Sequence, residues 1–472
     1  MNTLFNNNSW VKTFLKVLTL FFCCCWFIFN FLKSDIPADA GDGIMHYYIS
    51  NASWQNPSLF LDHWGKPLFI LLSSPFSQFG FAGIVFFNIV VFVSTVLIAW
   101  RIAIRLEINF IFQLIFPLIL INIQDYSLTV LGGLTEPLFN LFFIASFWLL
   151  VSKRWILLAV LVSFLPFLRS EGQLPIVLIG IILLYFKQFK AFPFLFLGML
   201  IYSIIGFFVF GDLAWYFTHN PYHLNNSIYN HGSWNHYLLS YKNYLGNPGL
   251  FLFIPSFIFI IYSIFKNKLI ELDLMILFYV YGTYFTILFL HSYFWATGTN
   301  ASMGLTRIAT QAMPTFILIN LYFLSKSSFF SNKLLHYLIT GIFLILVVSS
   351  ITTKHFPLRA NSFERSILQS ASFIKKINTK HHSLFYHHPL FCFAMDENPY
   401  LKNQMCKFFY SKDFSKELRT IIKSGDYIIW DSQFGPREQG LPLELLASQS
   451  KLSFIKQFGS QSNYLIKIYR LK

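Results

Sequence analysis

Charge is what this sequence has least of. Asp, Glu, Lys and Arg make up 12% of its 472 residues, about half the roughly 25% that wets the surface of a soluble domain. Cysteine is scarce too: there are five, three of them consecutive at Cys23, Cys24 and Cys25, so no disulfide framework staples the chain. The His and Cys residues show no zinc-ligand spacing, and no tract is of low complexity. Lys and Arg nowhere form a basic block, which argues against nucleic acid as a partner. Apolar surface, by contrast, is abundant: 55% hydrophobic residues with 59 Phe and a mean hydropathy of +0.55. Such a chain neither stays disordered nor dissolves. It is expected to be an α-helical polytopic membrane protein.

The net charge of 35 − 20 = +15 divides unevenly. Residues 353–472 hold 18 Lys and Arg against 9 Asp and Glu, and residues 1–352 hold 17 against 11, giving +9 and +6. The cations of the tail are scattered among apolar residues, which suits an anionic lipid surface. A spanning helix needs about 20 apolar residues, and the runs between charged punctuation predict about eleven. They lie near 13–32, 82–100, 108–124, 137–152, 155–168, 173–186, 191–211, 249–265, 273–292, 308–325 and 334–352. An even count is the competing topology. Loop charge favours eleven: Lys12, Lys16, Arg101, Arg105, Lys153, Arg154, Lys187, Lys190, Lys266, Lys268, Lys326 and Lys333 fall on one side, against Lys33, Lys66, Arg169, Lys242 and Arg307 on the other. By the positive-inside rule the first set is cytoplasmic, so the N-terminus is expected inside and the tail outside. Lys12, Lys16 and Ala38-Asp39-Ala40 outline a secretory signal around the first run. That run is long and aromatic, however, and ends well before the small residues, so it is read as a retained span.

Two outer loops are large, 33–81 and 212–248. With the spans they make up an expected membrane domain, 1–352. The remainder, 353–472, is expected to be a small extracytoplasmic α/β domain, with helices over Ser362–Asn378 and Ser415–Lys423 and strands over Asp426–Trp430 and Tyr464–Tyr469. Cys392 and Cys406 would be free to pair in that compartment, while Cys23, Cys24 and Cys25 are read as lipid-facing packing.

Ionisable residues next to hydrocarbon are costly and need a reason. In order, Asp42, His46, Asp62, His63, Lys66, Asp125, Glu136, Arg169, Glu171, His291 and Arg307 all fall at the outer ends of the expected spans. A transporter or lipid-linked saccharide flippase would place its charges at mid-membrane beside broken helices. Charges gathered at the rim suit chemistry on a lipid head group. An O-antigen ligase or polymerase is a further alternative, kept open by the loop 212–248.

The stretches Ala40-Gly-Asp-Gly-Ile-Met-His-Tyr-Tyr48 and Leu61-Asp-His-Trp-Gly-Lys-Pro-Leu-Phe69 resemble the first outer loop of the GT-C superfamily of polytopic glycosyltransferases. Protein O-mannosyltransferases and lipid A aminoarabinose transferases belong to that superfamily. Asp42 with His46-Tyr47 resembles its acidic motif, and Lys66-Pro67 its Lys-Pro. Leu134-Thr-Glu-Pro-Leu-Phe139, Arg169-Ser-Glu-Gly172 and Gly304-Leu-Thr-Arg-Ile308 resemble later outer-face motifs. The likeness spans the membrane part and is nearest to bacterial members with a terminal extracytoplasmic domain, which implies a bacterial inner (plasma) membrane. Asp42-Gly43 departs from the Asp-Glu pair of the mannosyltransferases.

The resemblance implies transfer of a sugar from a polyprenyl-phosphate donor to a glycan, lipid or protein acceptor, with inversion. The residues agree with it. An attacking hydroxyl needs a base within hydrogen-bond reach, for which Asp42 is the candidate and Asp39 its replacement. A departing phosphate needs cations, for which Lys66 and Arg307 are the candidates. His46, Asp62, His63, Glu136, Arg169 and Glu171 are supporting candidates. Each has a structural alternative: Asp42 as a turn former between glycines, Lys66 and Arg307 as interface anchors, Glu136 and Glu171 as helix N-terminal carboxylates. Arg169 has one as the ion-pair partner of Glu171, and the histidines as satisfied polar groups. Trp215, Tyr216, Tyr222, Trp234 and Tyr237 are candidates to stack on a sugar. No cofactor is expected; a phosphate leaving group makes a dedicated divalent metal unnecessary, though acidic loops are able to hold one.

Overall fold

The computed structural model describes residues 9–221, 230–326, 355–410, 414–460 and 464–472, together with 338, 341, 342, 345, 346, 348, 349 and 352. The chain runs in order through α1 (Ser9–Lys33), α2 (Asp42–Ala52), α3 (Pro67–Ser77), α4 (Phe81–Arg105), α5 (Phe110–Asn122), α6 (Gln124–Leu131) and α7 (Glu136–Val151). It continues through α8 (Trp155–Ser163), α9 (Gln173–Tyr185), α10 (Leu197–Phe210), α11 (Gly246–Phe265), α12 (Glu271–Ile276), α13 (Gly282–Thr297) and α14 (Met313–Lys326). Every expected span from 13–32 to 308–325 coincides with one or more of these helices. The last, 334–352, lies largely outside the described residues, as do Tyr222 and Lys333.

Among the described residues, five helices are long and apolar enough to cross a bilayer: Ser9–Lys33, Phe81–Arg105, Phe192–Phe210, Gly246–Phe265 and Glu271–Thr297. α5 and α6, bent by 74° at their junction, make a sixth if they form one crossing. The remaining expected spans are shorter than a bilayer requires. Glu136–Val151, Trp155–Phe167 and Ser170–Tyr185 are apolar helices of 10–17 residues; α14 is described over 14 residues, up to Lys326 where the described stretch stops. The reason is visible at their ends. Glu136 and Glu171 stand in first turns, and Arg307 precedes α14, so polar groups that need partners take up the length that hydrocarbon would have occupied.

α1 packs on α5 and buries Cys23, Trp26 and Phe27. Only Cys25 of the cysteine triplet is exposed and Cys24 is half-buried, so Cys23 belongs to the helix interface and not to the lipid face. α3, which the apolar pattern did not predict, is 11 residues long, about 16 Å at 1.5 Å per residue, and lies within the 33–81 loop against α2 and α4.

The C-terminal part is an α/β unit. α15 (Ser362–Ile377) opens with a capping box in which Asn361 accepts from the Glu364 amide at 2.9 Å and Glu364 accepts from the Asn361 amide at 2.7 Å. Its Phe363, Ile367, Ala371 and Ile374 are buried, the latter part of the helix against the sheet. β1 (Leu384–Phe385), α16 (Pro389–Ala394), β2 (Cys406–Lys407), α17 (Phe414–Thr420), β3 (Tyr427–Asp431), α18 (Leu443–Ala447), β4 (Leu452–Ser460) and β5 (Tyr464–Leu471) follow. The sheet order is β2-β1-β3-β5-β4, parallel from β2 to β3 and antiparallel from β3 to β4. The two expected helices and two expected strands are present within one to three residues. Cys392 and Cys406 are buried as free thiols, their side chains hydrogen-bonded to each other.

This unit is packed onto the membrane part. Asn398 Nδ2 donates to Tyr48 O at 3.0 Å and to Asn51 Oδ1 at 3.1 Å, Tyr48 Oη donates to Pro389 O at 3.4 Å, and Arg359 pairs with Asp35 at 2.6 Å. One buried apolar cluster runs from Cys23 to Ile468. The α/β unit therefore sits over α2 and the loop before it, at the end of the bundle where the rim residues are.

Candidate active site

The site begins with a turn. Asp39 Oδ1 accepts from the amides of Gly41 and Gly43 at 3.1 and 3.0 Å, folding 39–43 into the start of α2 as Asp commonly does. Gly43 is required there, because a Cβ at that position would collide with the Gly132 carbonyl of the α6–α7 turn. The departure from an Asp-Glu pair thus has a steric cause: the chain passes too close to Gly132 for any side chain.

Arg307 enters this turn from the other end of the sequence. Its Nη1 donates to Asp39 Oδ2 and its Nη2 to Asp42 Oδ2, a fork spread over two carboxylates. Asp39 is thereby satisfied on both oxygens, and its side chain is 10% exposed; that of Asp42 is 42% exposed and offers its other oxygen to the cavity. Burial works against the Arg307 charge, but Asp39, Asp42 and Glu136 more than offset it and hold the guanidinium above its ordinary range. Asp42 and Arg307, 265 positions apart, are in contact at the same end of the bundle.

From Arg307 the charges form a chain. Arg307 Nε is 3.8 Å from Glu136 Oε1, which also pairs with Arg169 Nη1 at 2.9 Å. Arg169 donates to Thr135 Oγ1 at 3.1 Å and to Glu171 Oε1 at 3.4 Å. His291 Nε2 lies 2.8 Å from that Glu171 oxygen and Gln311 Nε2 donates to it at 3.0 Å. The expected Arg169–Glu171 pair is one link of a longer row. Thr135 and Gln311, invisible as site residues in the sequence because hydroxyls and amides are common, complete it.

Lys66 stands behind the row. It is 7% exposed, donates from Nζ to His63 O at 3.2 Å, and adopts φ 68° immediately before Pro67. That backbone is rare for a non-glycine residue, and the squeeze from a following proline restricts it further. Strain of this kind collects at functional sites. Burial, and then Arg169, push its ammonium down to about 8, while Glu171, Asp62 and Glu136 pull the other way.

The other expected residues are placed as follows. Asp62 Oδ1 accepts the Gly65 amide at 2.6 Å and faces the cavity beside Trp64. His46 is stacked on Trp64 at 4.8 Å and edge-on to Phe69 at 5.4 Å; burial, then Lys66, push it down to about 3, so it is neutral. His63 packs against Tyr216 at 4.8 Å. Trp215, Tyr216 and Tyr237 are buried and belong to the core, so of the described candidates for sugar stacking only Trp234 is exposed. Among the described residues no three His, Cys, Asp or Glu side chains are disposed to share a metal ion.

Two cavities stand out, the first of them reaching this row at Arg307. One, of about 760 Å³, has Asp39, Asp42 and Arg307 in its floor and the α/β unit as its roof. The other, about 870 Å³, is an apolar groove between α5, α11 and Ile342, Ile345, Leu346, Ser349, Thr352 and His355, with Lys242 also in its lining. Asp125, next in sequence to the groove residue Gln124, has a side chain that bonds Thr306 and interacts electrostatically with Arg307 and His355.

No family model matches the chain, and no curated protein matches it in sequence. Among solved structures it is similar to the crystal structure of ArnT from Cupriavidus metallidurans bound to undecaprenyl phosphate, with a TM-score of 0.62 over 98% of each chain. The fold is GT-C. At 9% identity the likeness is one of architecture, and because a fold hosts more than one activity, chemistry has to be argued from the side chains above. The GT-C fold of this chain includes its C-terminal unit, since the superposition covers nearly all of both proteins.

Proposed function

We propose that this protein is a glycosyltransferase that moves a sugar from a polyprenyl-phosphate carrier to an acceptor hydroxyl at the extracytoplasmic membrane face, inverting the anomeric carbon. In the reaction the acceptor oxygen bonds to the anomeric carbon, the bond from that carbon to the phosphate oxygen breaks, and the hydroxyl proton passes to Asp42. Polyprenyl phosphate leaves.

The contact between Asp42 and Arg307 carries this reading. It sets a solvent-facing carboxylate beside a guanidinium at the membrane rim, which is what attack by a hydroxyl and departure of a phosphate jointly require. Before the donor arrives, Arg307 is paired with Asp42. Its donors then have a phosphate to serve, and Asp42 is released as the base. Lys66 and Arg169 supply further positive charge on the inner side of the row. The undecaprenyl phosphate in the ArnT structure suggests the class of carrier, and the apolar groove supports it. From Phe112 to Asn122 the groove follows α5 for about 15 Å at 1.5 Å per residue, the depth of one leaflet of a roughly 30 Å core. An isoprenoid chain there would have its head at Lys242 and His355. A flippase reading has no comparable support, since the ion-pair row lies at the rim.

The test is incubation of the purified protein with a panel of polyprenyl-phosphate sugars and mass detection of released polyprenyl phosphate. Asp42→Asn is expected to reduce release about 10²- to 10⁴-fold with unchanged expression and membrane insertion. Undiminished turnover by that variant overturns the assignment.

A further inference from the structure

The roof of the 760 Å³ cavity comes from the C-terminal α/β unit: Gln433, Phe434 and Glu438 from the loop after β3, Tyr410 after β2, and Glu364 at the start of α15. We infer that this roof is the acceptor subsite and that the acceptor is a hydroxyl-rich, uncharged glycan. The inference rests on the transferase reading and adds a substrate class to it.

The first argument is charge. The lining carries five carboxylates, Asp39, Asp42, Asp62, Glu364 and Glu438, against one guanidinium, Arg307, which binds Asp39 and Asp42 and in the proposed reaction serves the donor phosphate, leaving no cation among the lining's described residues for an acidic acceptor. The two lining histidines add nothing positive: burial pushes both His387 and His388 down to about 3. Burial also raises Asp62 and Glu364, so the cavity resists the negative charge it already holds. A phosphate or uronate entering it away from Arg307 meets a lining in which carboxylates outnumber guanidinium five to one. Hydroxyls, by contrast, donate to carboxylates in strong charge-assisted bonds.

The second argument is the wall. His387 is 3% exposed and lines the cavity, yet neither ring nitrogen has a hydrogen-bond partner among the described residues. Its Nε2 is 3.6 Å from Asp431 Oδ2, beyond hydrogen-bond length, and that oxygen is taken by Tyr386 Oη at 2.9 Å. A neutral imidazole offers one donor and one acceptor, as a hydroxyl does, and buried polar groups left unmatched in a fold normally find their partner in a ligand or water. The third argument is aromatic surface. Trp64 in the floor and Tyr410 and Phe434 in the roof offer faces to the C–H side of sugar rings, and Tyr410 is 54% exposed. The space, equal to about 25 waters at roughly 30 Å³ each, is open to the aqueous side where the α/β unit lies.

The test is binding of glycans to the full-length protein in lipid nanodiscs without donor, first on an array of uncharged, uronate-bearing and phosphate-bearing oligosaccharides, then by titration of the best uncharged ligand. Retention of uncharged oligosaccharides is expected, with acidic counterparts of equal length at least about tenfold weaker and affinity about tenfold lower in Glu438→Gln and in Tyr410→Ala. Equal or preferential retention of acidic glycans, retention of none, or wild-type affinity in both variants overturns the inference. Release of polyprenyl phosphate with water as acceptor separates the two readings. Release without glycan binding removes only the acceptor assignment, and glycan binding without release from any donor removes the transferase reading.

Discussion

The two cavities are close in volume and opposite in chemistry. The one under the α/β unit is walled by carboxylates, neutral imidazoles and aromatic rings; the groove along α5 and α11 is walled by Phe112, Ile115, Ile119, Phe251 and Leu252. Lys242 is the one Lys or Arg among the described residues of its lining, with His355 also there. The difference follows from what each face borders. Beside hydrocarbon an apolar wall costs nothing and a charge has to sit at the interface, whereas beside water an apolar wall would be wasted and polar groups are cheap to keep. A protein that joins a lipid-borne group to a hydrophilic one needs both kinds of wall and a single place where they meet. On the proposed function Arg307 would serve as that place, since it holds the carboxylates of the first cavity and interacts, as His355 does, with Asp125, the neighbour in sequence of the groove residue Gln124.

The largest expected effect comes from disturbing the shared seam. Gly43 lies against the Gly132 carbonyl, while a Cβ at Gly41 meets nothing nearer than Asp39 Oδ1 at 3.7 Å. Gly43→Ala is therefore expected to push the 39–43 turn off Arg307 and to lower transfer about 10²-fold, the scale of a 1 Å misplacement of reacting groups. Overpacking is expected to cost about 1–3 kcal/mol of stability as well, and Gly41→Ala is expected to be far milder in both assays. The comparison sharpens if Gly43→Ala weakens glycan binding under the α/β unit and leaves photolabelling of the groove by an isoprenoid probe unchanged. Equal loss in both would mean the two cavities are not separate sites.

Much of this was readable because the chain is so poor in charge. Asp42, Glu136, Arg169, Glu171 and Arg307 stand out in a hydrocarbon-rich sequence, and the cost of placing them there already implies a site. What joined them was not readable: Arg307 with Asp42 spans 265 positions, and no periodicity encodes such a pairing. The spans near 137–152, 155–168 and 173–186 were located correctly but fall short of a bilayer, since hydropathy reports apolar runs and not how deeply a polar site is recessed. His46 and His63 carry the right chemistry and are packed against Trp64 and Tyr216 instead. In the tail the situation reverses. His387, Asp431 and Glu438 are ordinary residues for an aqueous α/β unit, so nothing marks them until the fold lays them over the Asp42 turn, and two-residue strands such as β1 and β2 leave no pattern at all.

A second, smaller effect belongs to the membrane side alone. Lys66 is pushed down to about 8 by burial and then by Arg169. It is a base, so its charge is present below that pH and lost above it. If the ammonium serves the donor phosphate, kcat/KM for the donor, which reports the free enzyme, is expected to be flat below pH 8 and about tenfold lower one unit above it. Lys66→Arg is expected to remove that step, because a guanidinium keeps its proton throughout. Glycan binding in the other cavity is expected to show no inflection there. A step that persists in Lys66→Arg would assign the titration elsewhere.

The smallest effect is expected at the mouth of the groove. Lys242 is exposed, and one cation near an anionic lipid surface contributes about 1 kcal/mol, or roughly a fivefold change in affinity. Lys242→Gln should raise the KM for a polyprenyl-phosphate sugar by about that factor and leave kcat alone, since the side chain meets the head group before and during reaction alike. Because the site is open to solvent, the difference from wild type should shrink in 1 M salt, where the screening length falls to about 3 Å. The Lys66 effect, buried, should not. A Lys242 effect that survives high salt would place the phosphate deeper than the mouth and move the boundary between the two cavities toward Arg307.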